Sequence, residues 1–379
     1  MSTDLPAGTS GAFQEPPRPP GPFLPPPAAP VQSRRATGRV SRTGGYVLAL
    51  AVHLLAPAFL LTGVYLVTRL TIGGILFGLV ALDLAWLLRP RPAPFPAFAV
   101  PLAREDAPHL YALVDRIGEE LGALRTDLVA VSGAVNASFR TYGWRRSRLV
   151  EIGYPLWLIL TPQERVALLT HEMAHSRNGD ARHGLVVGSA LHSLHELRIV
   201  TGFEWHPGDG LSALVTQCLL AILGVPVRGL IFLLELLLNR SSQHAEYRAD
   251  EMQAQVAGSA AAASLLDVLT TRTRSVEGFL ASSAVAVGTG NLWTALRSHV
   301  DAVADTELER HRESARLEKT GVDTTHPPTY LRMQRVLALP YPVPRVSAAG
   351  SEQIEGELDK AAGRVARRLR EDAQSVRYR

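Results

Sequence analysis

This chain of 379 residues contains one cysteine and two lysines, and each scarcity excludes a class of site. Cys218, the single cysteine, cannot form a disulfide within the chain or build a cysteine-ligated zinc site, and this usage is typical of a reducing compartment. Because Lys319 and Lys360 are the only lysines, the positive charge is almost entirely arginine. The arginines lie beside apolar runs and among carboxylates, and no nucleic-acid-binding module is recognisable. We therefore expect no nucleic-acid partner.

Apolar residues make up 46% of the chain and are concentrated in runs. Residues 1–44 are instead rich in proline with few apolar anchors, which predicts a disordered tail; a proline-rich ligand for a partner domain is the alternative. Residues 45–92 hold two apolar runs, 46–68 and 71–88, each close to the roughly 20 residues that cross a hydrocarbon core. Only two residues separate the runs. We therefore predict an N-terminal transmembrane helical hairpin.

Arginines flank both ends of this predicted hairpin, and cytoplasmic flanks of membrane segments carry an excess of arginine and lysine. Both flanks, and with them the bulk of the chain, are therefore expected to face the cytoplasm. This makes the protein an integral, multi-pass protein of the inner or plasma membrane, although Arg69 in the turn opposes this orientation. The flanking residues are Arg34, Arg35, Arg39 and Arg42 before the first run, and Arg89, Arg91 and Arg104 after the second.

Residues 100–345 have the composition of a folded domain. Apolar residues recur with helical spacing over 106–122, which predicts an amphipathic helix. Short strands are predicted at 127–131, 137–142 and 148–152, joined by glycine-containing turns. The fold class is therefore mainly α with a small β-sheet, an α+β domain.

Four further segments of the chain are less sharply defined. The apolar segment 211–238 fits one or two more membrane spans or a buried helical hairpin, and Pro226 near its middle leaves the choice open. Residues 184–200 are too polar for a lipid-facing span. Residues 274–320 form an insertion without an assigned place, with a lid over the cleft as one option. Residues 346–379 are predicted to be a charged C-terminal helix or tail with a solvated face.

The helix with the clearest start in the sequence begins at Pro162. Thr161 is a good N-cap, proline suits the first helical position, and Glu164 completes a Thr-x-x-Glu capping box. The helix is expected to end near Asn178, with Gly179 as its stop.

This helix carries the sequence His171-Glu172-Met173-Ala174-His175. The two histidines lie one turn apart on one face, close enough to hold one zinc ion. The glutamate is rotated about a hundred degrees from the first histidine and can reach a metal-activated water, whose proton it would take during attack on a carbonyl. Two unrelated histidines on a helix are the alternative. The position in mid-helix, behind a clear cap, favours the metal site.

A catalytic zinc needs a third protein ligand. Glu246, directly after the apolar segment, is the candidate, and Asp250 lies one turn further on, where it can orient a ligand histidine. An exposed charged helix face is the alternative for this pair. His244 is a competing ligand, but it lies two residues from Glu246 and so on another face of the helix.

Four motifs, in this order, resemble the HtpX-like and CAAX-prenyl-protease family of membrane zinc metallopeptidases, which are gluzincins with an HExxH motif. The motifs span about residues 127–336, slightly over half of the chain. They are Asn136-Ala137-Ser138-Phe139, His171–His175, Glu246 with Ala249-Asp250, and Thr325-His326-Pro327-Pro328.

The resemblance implies a zincin-like catalytic domain with one Zn²⁺ per chain. His171, His175 and Glu246 would be its ligands, and Glu172 the general base.

The resemblance also implies roles for four other residues. Asn136 and Ala137 would begin an edge strand against which an extended substrate pairs. His326 would stabilise the tetrahedral oxyanion, with a simple helix-start histidine as the alternative. Asp180 would support a ligand histidine or lie at a helix terminus.

The function that these expectations favour is a membrane-anchored zinc-dependent endopeptidase acting on membrane or membrane-proximal proteins. Its partners would be polypeptide substrates and membrane lipid. The CAAX branch usually has more spans than this sequence shows, which argues against prenyl-peptide processing. The alternative is a membrane signal transducer that keeps the zinc-peptidase fold for sensing, with self-cleavage or no turnover. The natural substrate and the oligomeric state do not follow from the sequence.

Overall fold

The computed structural model describes residues 31–177, 180–206, 208–283, 291–317 and 327–377. The chain divides into Met1–Thr37, of which only the start of a helix is described, and Gly38–Arg379, which holds all features below. The predicted fold class is confirmed, because the chain is mainly helical with one small sheet. The helices are α1 (Val31–Thr68), α2 (Ile72–Leu88), α3 (Pro108–Leu121), α4 (Tyr154–Ile159), α5 (Pro162–Arg177), α6 (Asp180–Val200), α7 (Gly210–Ala257), α8 (Ser259–Thr271), α9 (Thr273–Ser283), α10 (Leu292–Asp301), α11 (Asp305–Leu317), α12 (Thr329–Leu337) and α13 (Ser351–Arg377); the strands are β1 (Val100–Leu102), β2 (Leu128–Ser132), β3 (Ala137–Tyr142) and β4 (Ser147–Gly153).

Helices α1 and α2 are the two apolar helices expected near the N-terminus. Within α1, Ser41–Thr68 is long and apolar enough to cross a membrane, and α2 is a shorter apolar helix of 17 residues. The pair approaches closely at two glycines. A Cβ on Gly63 would lie 2.9 Å from the carbonyl oxygen of Gly78, and a Cβ on Gly78 would lie 2.7 Å from Val67. Such small residues let the backbones of membrane helices pack tightly.

The predicted disordered tail overlaps this helix. Helix α1 begins at Val31, so the expectation of disorder is wrong for residues 31–44, while residues 1–30 lie outside the described part of the chain. Extending an existing helix adds one hydrogen bond per residue fixed, whereas starting one is costly. The apolar run therefore lets the helix continue into the arginine-rich residues before it.

The apolar segment 211–238 lies within one continuous helix. Helix α7 is 48 residues long and passes Pro226 without a break. Its first part, Gly210–Leu238, is long and apolar enough to cross a membrane. The same helix then continues to Glu246 and Asp250, so the two residues belong to the element that carries the apolar segment.

Helix α6 packs among the apolar helices. Its buried residues form one cluster with α1 and α7. A polar contact adds to this packing, because His53 of α1 lies 3.0 Å from the carbonyl oxygen of Val186 and 3.1 Å from the hydroxyl of Ser189. The cluster consists of Ala49 and Val52 from α1, Val187, Ala190 and Leu194 from α6, and Val227, Ile231 and Leu234 from α7.

The sheet has the strand order β1-β2-β4-β3. Strands β2 and β4 are parallel, and the other two pairings are antiparallel. The three predicted strands are confirmed. Strand β1 was not predicted, because three residues containing Pro101 carry no alternating pattern that could indicate a strand.

The main core lies between the sheet and helices α3, α5 and α13. Helix α13 was expected to be a solvated face, and this is wrong. Its residues Ile354, Leu358, Ala361 and Val365 are buried in that core. They recur at intervals of three and four residues, so one face of an otherwise charged helix is apolar. The described part of the 274–320 insertion packs through Val276, Leu292, Leu296 and Val300 in a cluster that includes Ala366 of α13.

Candidate active site

Helix α5 positions the two histidines. The backbone N–H of Thr161 donates to Oε2 of Glu164 at 2.8 Å, so the reciprocal contact of the predicted capping box is present. The apolar side of the helix is anchored by Val166, Leu169 and Met173, which are buried in the core. Because that side is anchored, the polar side that carries the histidines has a fixed direction.

Helix α7 crosses α5 and brings Glu246 to both histidines. Oε2 of Glu246 lies 3.4 Å from Nε2 of His171, and Oε1 lies 3.4 Å from Nε2 of His175. The three potential ligand atoms all lie within 4.8 Å of one another. Glu246 is only 1% exposed. The predicted ligand set is therefore brought together in one place.

This donor set fits a zinc ion. Two imidazole nitrogens and one carboxylate oxygen are the protein ligands of many catalytic zinc sites, where a fourth position stays open. In the described residues no second group of three histidine, cysteine or acidic side chains converges in this way.

Asp250 contacts His171 on the side of the ring that is opposite Glu246. Its Oδ1 lies 3.3 Å from Nδ1 of His171, the ring nitrogen that faces away from Glu246. A carboxylate there fixes the orientation of the ring and leaves Nε2 directed at the cluster. This is the position that the helical spacing of Glu246 and Asp250 predicts.

Arg332 of α12 completes the cluster and was missed in the sequence. Its Nε donates to Oδ2 of Asp250 at 2.9 Å and its Nη2 donates to Oδ1 at 2.7 Å. Nη2 also lies 3.1 Å from Oε2 of Glu246 and 3.3 Å from Nε2 of His171. One signal could have revealed it. Arg332 and Val336, four residues apart, are the two buried residues of α12, so a charged residue occupies the apolar face of that helix.

These contacts shift the ionisation of the cluster. Burial by itself would lower the pKa of His171, but the contacts with the carboxylates of Asp250 and Glu246 raise it to about 9. Burial would raise the pKa of Asp250, and its bonds to Arg332 and His171 hold that pKa below the ordinary value. An imidazole with a raised pKa binds a metal only by releasing its proton.

Glu172 is half-buried and follows His171 on α5. Its charge contributes to the raised pKa of Arg332, which places the carboxylate within electrostatic reach of the cluster. His326 lies outside the described residues. Asp180 is the first residue of α6, but its side chain, like that of His244, is not among those described.

The outer edge of the sheet lies beside this cluster, because β3 packs against α5. The N–H of Gly153 donates to the carbonyl of Asn136 at 2.8 Å, and Ala137 lies opposite Ile152. In an antiparallel pair, residues alternate between bonding the partner strand and facing away from it. Ala137, Phe139 and Thr141 therefore direct their N–H and C=O groups away from β4.

Gly153 is required at the start of this pairing. A Cβ at this position would overlap the carbonyl oxygens of Ala134 and Asn136. The loop that precedes β3 therefore lies directly against the end of β4, which fixes where the outer edge begins.

A helical domain with a small sheet, and with two histidines one turn apart facing a glutamate from another helix, is the arrangement of a metallopeptidase. The sequence pattern of Peptidase family M48 matches residues 106–339. This is more than half of the chain and includes the whole cluster. The chain belongs to peptidase family M48.

Curated relatives agree with this assignment. The chain is 30% identical to a Protease HtpX homolog of Pyrobaculum calidifontis over 234 residues, covering 61% of this chain and 67% of the relative. It is 29% identical to Protease HtpX of a Psychrobacter species over 157 residues, covering 38% and 50%. A Protease HtpX homolog of Syntrophobacter fumaroxidans is 26% identical over 168 residues, covering 40% and 55%. The chain thus spans about half to two thirds of the length of the relatives it matches.

Proposed function

We propose that this chain is a membrane-anchored, zinc-dependent endopeptidase. The observation that carries the proposal is the convergence of His171, His175 and Glu246 from two crossing helices, with Glu172 beside the first ligand. Three converging ligands and an adjacent carboxylate are the parts that peptide hydrolysis by an HExxH site requires.

His171, His175 and Glu246 would hold one zinc ion, which supplies Lewis-acid polarisation of a carbonyl and of a water molecule. Glu172 would take a proton from the attacking water on a carboxylate oxygen and return it to the amine leaving group. Asp250 orients the ring of His171, and Arg332 orients the carboxylate of Asp250.

Extended polypeptides are the substrates that the outer edge of β3 favours. Outward N–H and C=O groups at Ala137, Phe139 and Thr141 can pair with any extended backbone, because main-chain hydrogen bonds do not depend on side-chain identity. We therefore place the substrate along this edge, beginning at Asn136 and Ala137.

The apolar helices support a membrane anchor, and the way they connect limits its topology. Helices α5 and α7 meet at one site, although α6 and the apolar part of α7 lie between His175 and Glu246 along the chain. With the apolar part of α7 in a membrane, the chain would have to cross that membrane an even number of times between the two residues. We propose that α6 and α7 form a second hairpin beside α1 and α2, with the catalytic residues on the cytoplasmic side.

Helix α6 contributes its apolar side to this arrangement. Its Val187, Ala190 and Leu194 are buried against α1 and α7, and α6 also contacts α2, while His192 and Arg198 stay exposed. Glu246 lies eight residues beyond Leu238, a rise of about 12 Å along the helix. The cluster is thus close to the membrane surface, which favours membrane and membrane-proximal substrates.

The proposal is tested with full-length protein in lipid nanodiscs, using fluorogenic casein as an unstructured substrate. Zinc-loaded wild type should release fluorescent fragments, and Glu172→Gln should keep zinc and fold while losing at least about 100-fold in kcat, the scale of general-base catalysis. Glu251→Gln, the same change at an exposed site on α7, is the matched control. Near wild-type turnover in Glu172→Gln would contradict the assigned base. Zinc-loaded wild type without turnover, on casein or on a co-reconstituted single-span protein, would favour the sensor alternative.

A further inference from the structure

The turn between β3 and β4 exposes an aromatic and two cationic side chains together. Residues Gly143–Arg146 connect the strands, and the N–H of Arg146 donates to the carbonyl of Gly143 at 3.1 Å. Trp144 is 84% exposed, the largest value among the exposed large apolar side chains of the described residues. Arg145 and Arg146 are exposed as well. We call Trp144, Arg145 and Arg146 the hairpin tip.

The charges of the hairpin tip are not neutralised by the domain. Within the described residues, neither Arg145 nor Arg146 forms an ion pair through its guanidinium. Arg148, two residues further on, differs, because its side chain donates to both carboxylate oxygens of Asp127 at 2.9 and 2.8 Å. The tip therefore presents two uncompensated positive charges beside an exposed indole, on a turn that the strand pairing of β3 and β4 holds in place.

The hairpin tip is attached to the segment that leaves α2. The N–H of Gly143 donates to the carbonyl of Ala93 at 2.9 Å, and the rings of Phe95 and Tyr142 pack edge to face at 5.3 Å. Helix α2 ends at Leu88. Five residues extend over at most about 17 Å, so the tip cannot lie far from the end of the apolar helix.

The end of α2 carries the same combination of an exposed tryptophan and a neighbouring arginine. Trp86 is 66% exposed, and the guanidinium of Arg89 lies 3.3 Å from the centre of its ring. Tryptophan is enriched at the headgroup level of membranes, where its apolar body and polar N–H both find partners, and arginine binds anionic lipid. Two tryptophan–arginine groups joined by a short tethered linker can lie on one such surface.

We propose that the hairpin tip is a second membrane contact of the catalytic domain, in which Trp144 enters the headgroup layer and Arg145 and Arg146 bind anionic phospholipid. The proposal rests on the membrane insertion of α1 and α2 proposed above. Its consequence concerns the substrate edge. Strand β3 leads from the tip to Ala137 over about 17 Å at 3.3 Å per residue, so the Thr141 end of the edge would lie next to the bilayer surface and the Ala137 end at most about 17 Å from the tip.

The test places an environment-sensitive fluorophore at the tip. Cys218 is the single cysteine, so a Cys218→Ser chain accepts one label at Trp144→Cys, Leu79→Cys or Val343→Cys. Leu79 is an exposed residue of α2 and reports membrane insertion. Val343 is 73% exposed and directly precedes Pro344, which lies beside Gly258. Gly258 is about 30 Å beyond Leu238 along α7, so Val343 is the distant control.

Full-length labelled protein is reconstituted in nanodiscs of phosphatidylcholine with or without phosphatidylglycerol, each with and without lipid that carries a spin label either at the headgroup or deep in the acyl chain. We expect strong quenching at position 79 by the deep spin label, quenching by the headgroup spin label and a blue shift at position 144 that both increase with phosphatidylglycerol, and no quenching at position 343. Each arginine near an anionic surface strengthens binding by a factor of about five. Arg145→Gln/Arg146→Gln should therefore lower the apparent affinity for phosphatidylglycerol, measured with the label at position 144, by about 25-fold.

Three outcomes overturn the proposal. Quenching at 79 without quenching at 144 removes the tip contact while leaving the membrane anchor and the peptidase assignment intact. No quenching at 79 removes the anchor and the tip contact together, and the casein assay still decides the peptidase activity. A spectral change at 144 that requires added casein and ignores lipid assigns the tip to polypeptide binding instead.

Discussion

Arg332 donates two parallel hydrogen bonds, of 2.9 and 2.7 Å, to the carboxylate of Asp250, although the two residues are 82 positions apart in the sequence. A planar guanidinium matches a carboxylate in this way, and an ammonium group cannot. The pair is buried and joins α12 to the helix that supplies the third potential ligand. It therefore links the packing of α12 to the orientation of His171.

The first prediction concerns this pair. Arg332→Ala leaves the carboxylate of Asp250 buried without its main partner, which typically costs about 3–5 kcal/mol, and zinc affinity should fall by about 10- to 100-fold as His171 loses its support. Arg332→Lys should recover little of the lost stability or zinc affinity, because a lysine ammonium group cannot form both hydrogen bonds. Thermal unfolding and chelator competition measure the two effects. Arg335→Ala, an exposed arginine one turn away, is the control; equal behaviour of the two alanine variants would refute the role of Arg332.

The second prediction concerns the metal ligands. The full-length protein should bind one zinc per chain, and His171→Ala/His175→Ala should bind none, because one ligand cannot hold the ion. Glu246→Ala should weaken binding far more than Glu251→Ala, an exposed glutamate on the same helix. Elemental analysis after dialysis and chelator competition provide the measurements.

The competing ligand His244 belongs to the same experiment. Its position two residues from Glu246 predicts a small effect for His244→Ala, and Asp250→Ala should lie between the two, at about 10- to 100-fold. Loss of zinc in His244→Ala together with its retention in Glu246→Ala would show that the wrong residue of α7 was chosen.

The third prediction concerns the substrate edge. Ala137→Pro removes an N–H that points away from β4, so KM for an extended peptide should rise by about tenfold or more while zinc content and melting temperature change little. Ser138→Pro removes an N–H on the side that pairs with β4 and should lower the melting temperature instead. Peptidase kinetics and thermal unfolding of both variants separate binding from folding. Unchanged KM in Ala137→Pro would place the substrate elsewhere.

The fourth prediction concerns topology. Reporters after Ala99 and at the C-terminus should both show cytoplasm, because arginines flank the first hairpin and an even number of crossings follows. A reporter inserted after Gly208, between α6 and α7, should show the opposite side. A cytoplasmic signal at Gly208 would mean that α6 and α7 stay on the membrane surface, and an external signal after Ala99 would reverse the whole orientation.

Features that depend on neighbouring residues were within reach of the sequence. The cap at Thr161, the spacing of His171 and His175, and the alternation of the three longer strands are local patterns, and each reports a helix turn or a strand pleat directly. The pairing of Glu246 with Asp250 one turn later also follows from helical spacing. The sequence therefore determined the ligand candidates and the element that carries each one.

The tertiary structure decided what lies together across long stretches of chain. Arg332 reaches Asp250 only because α12 packs against α7 and α8, and the apolar face of α13 finds its place only when the sheet is present. Val187, Ala190 and Leu194 of α6 are buried only because α1 and α7 pack against that side of the helix. In each case the burial of a residue depends on a partner distant in sequence, and no local period carries that information.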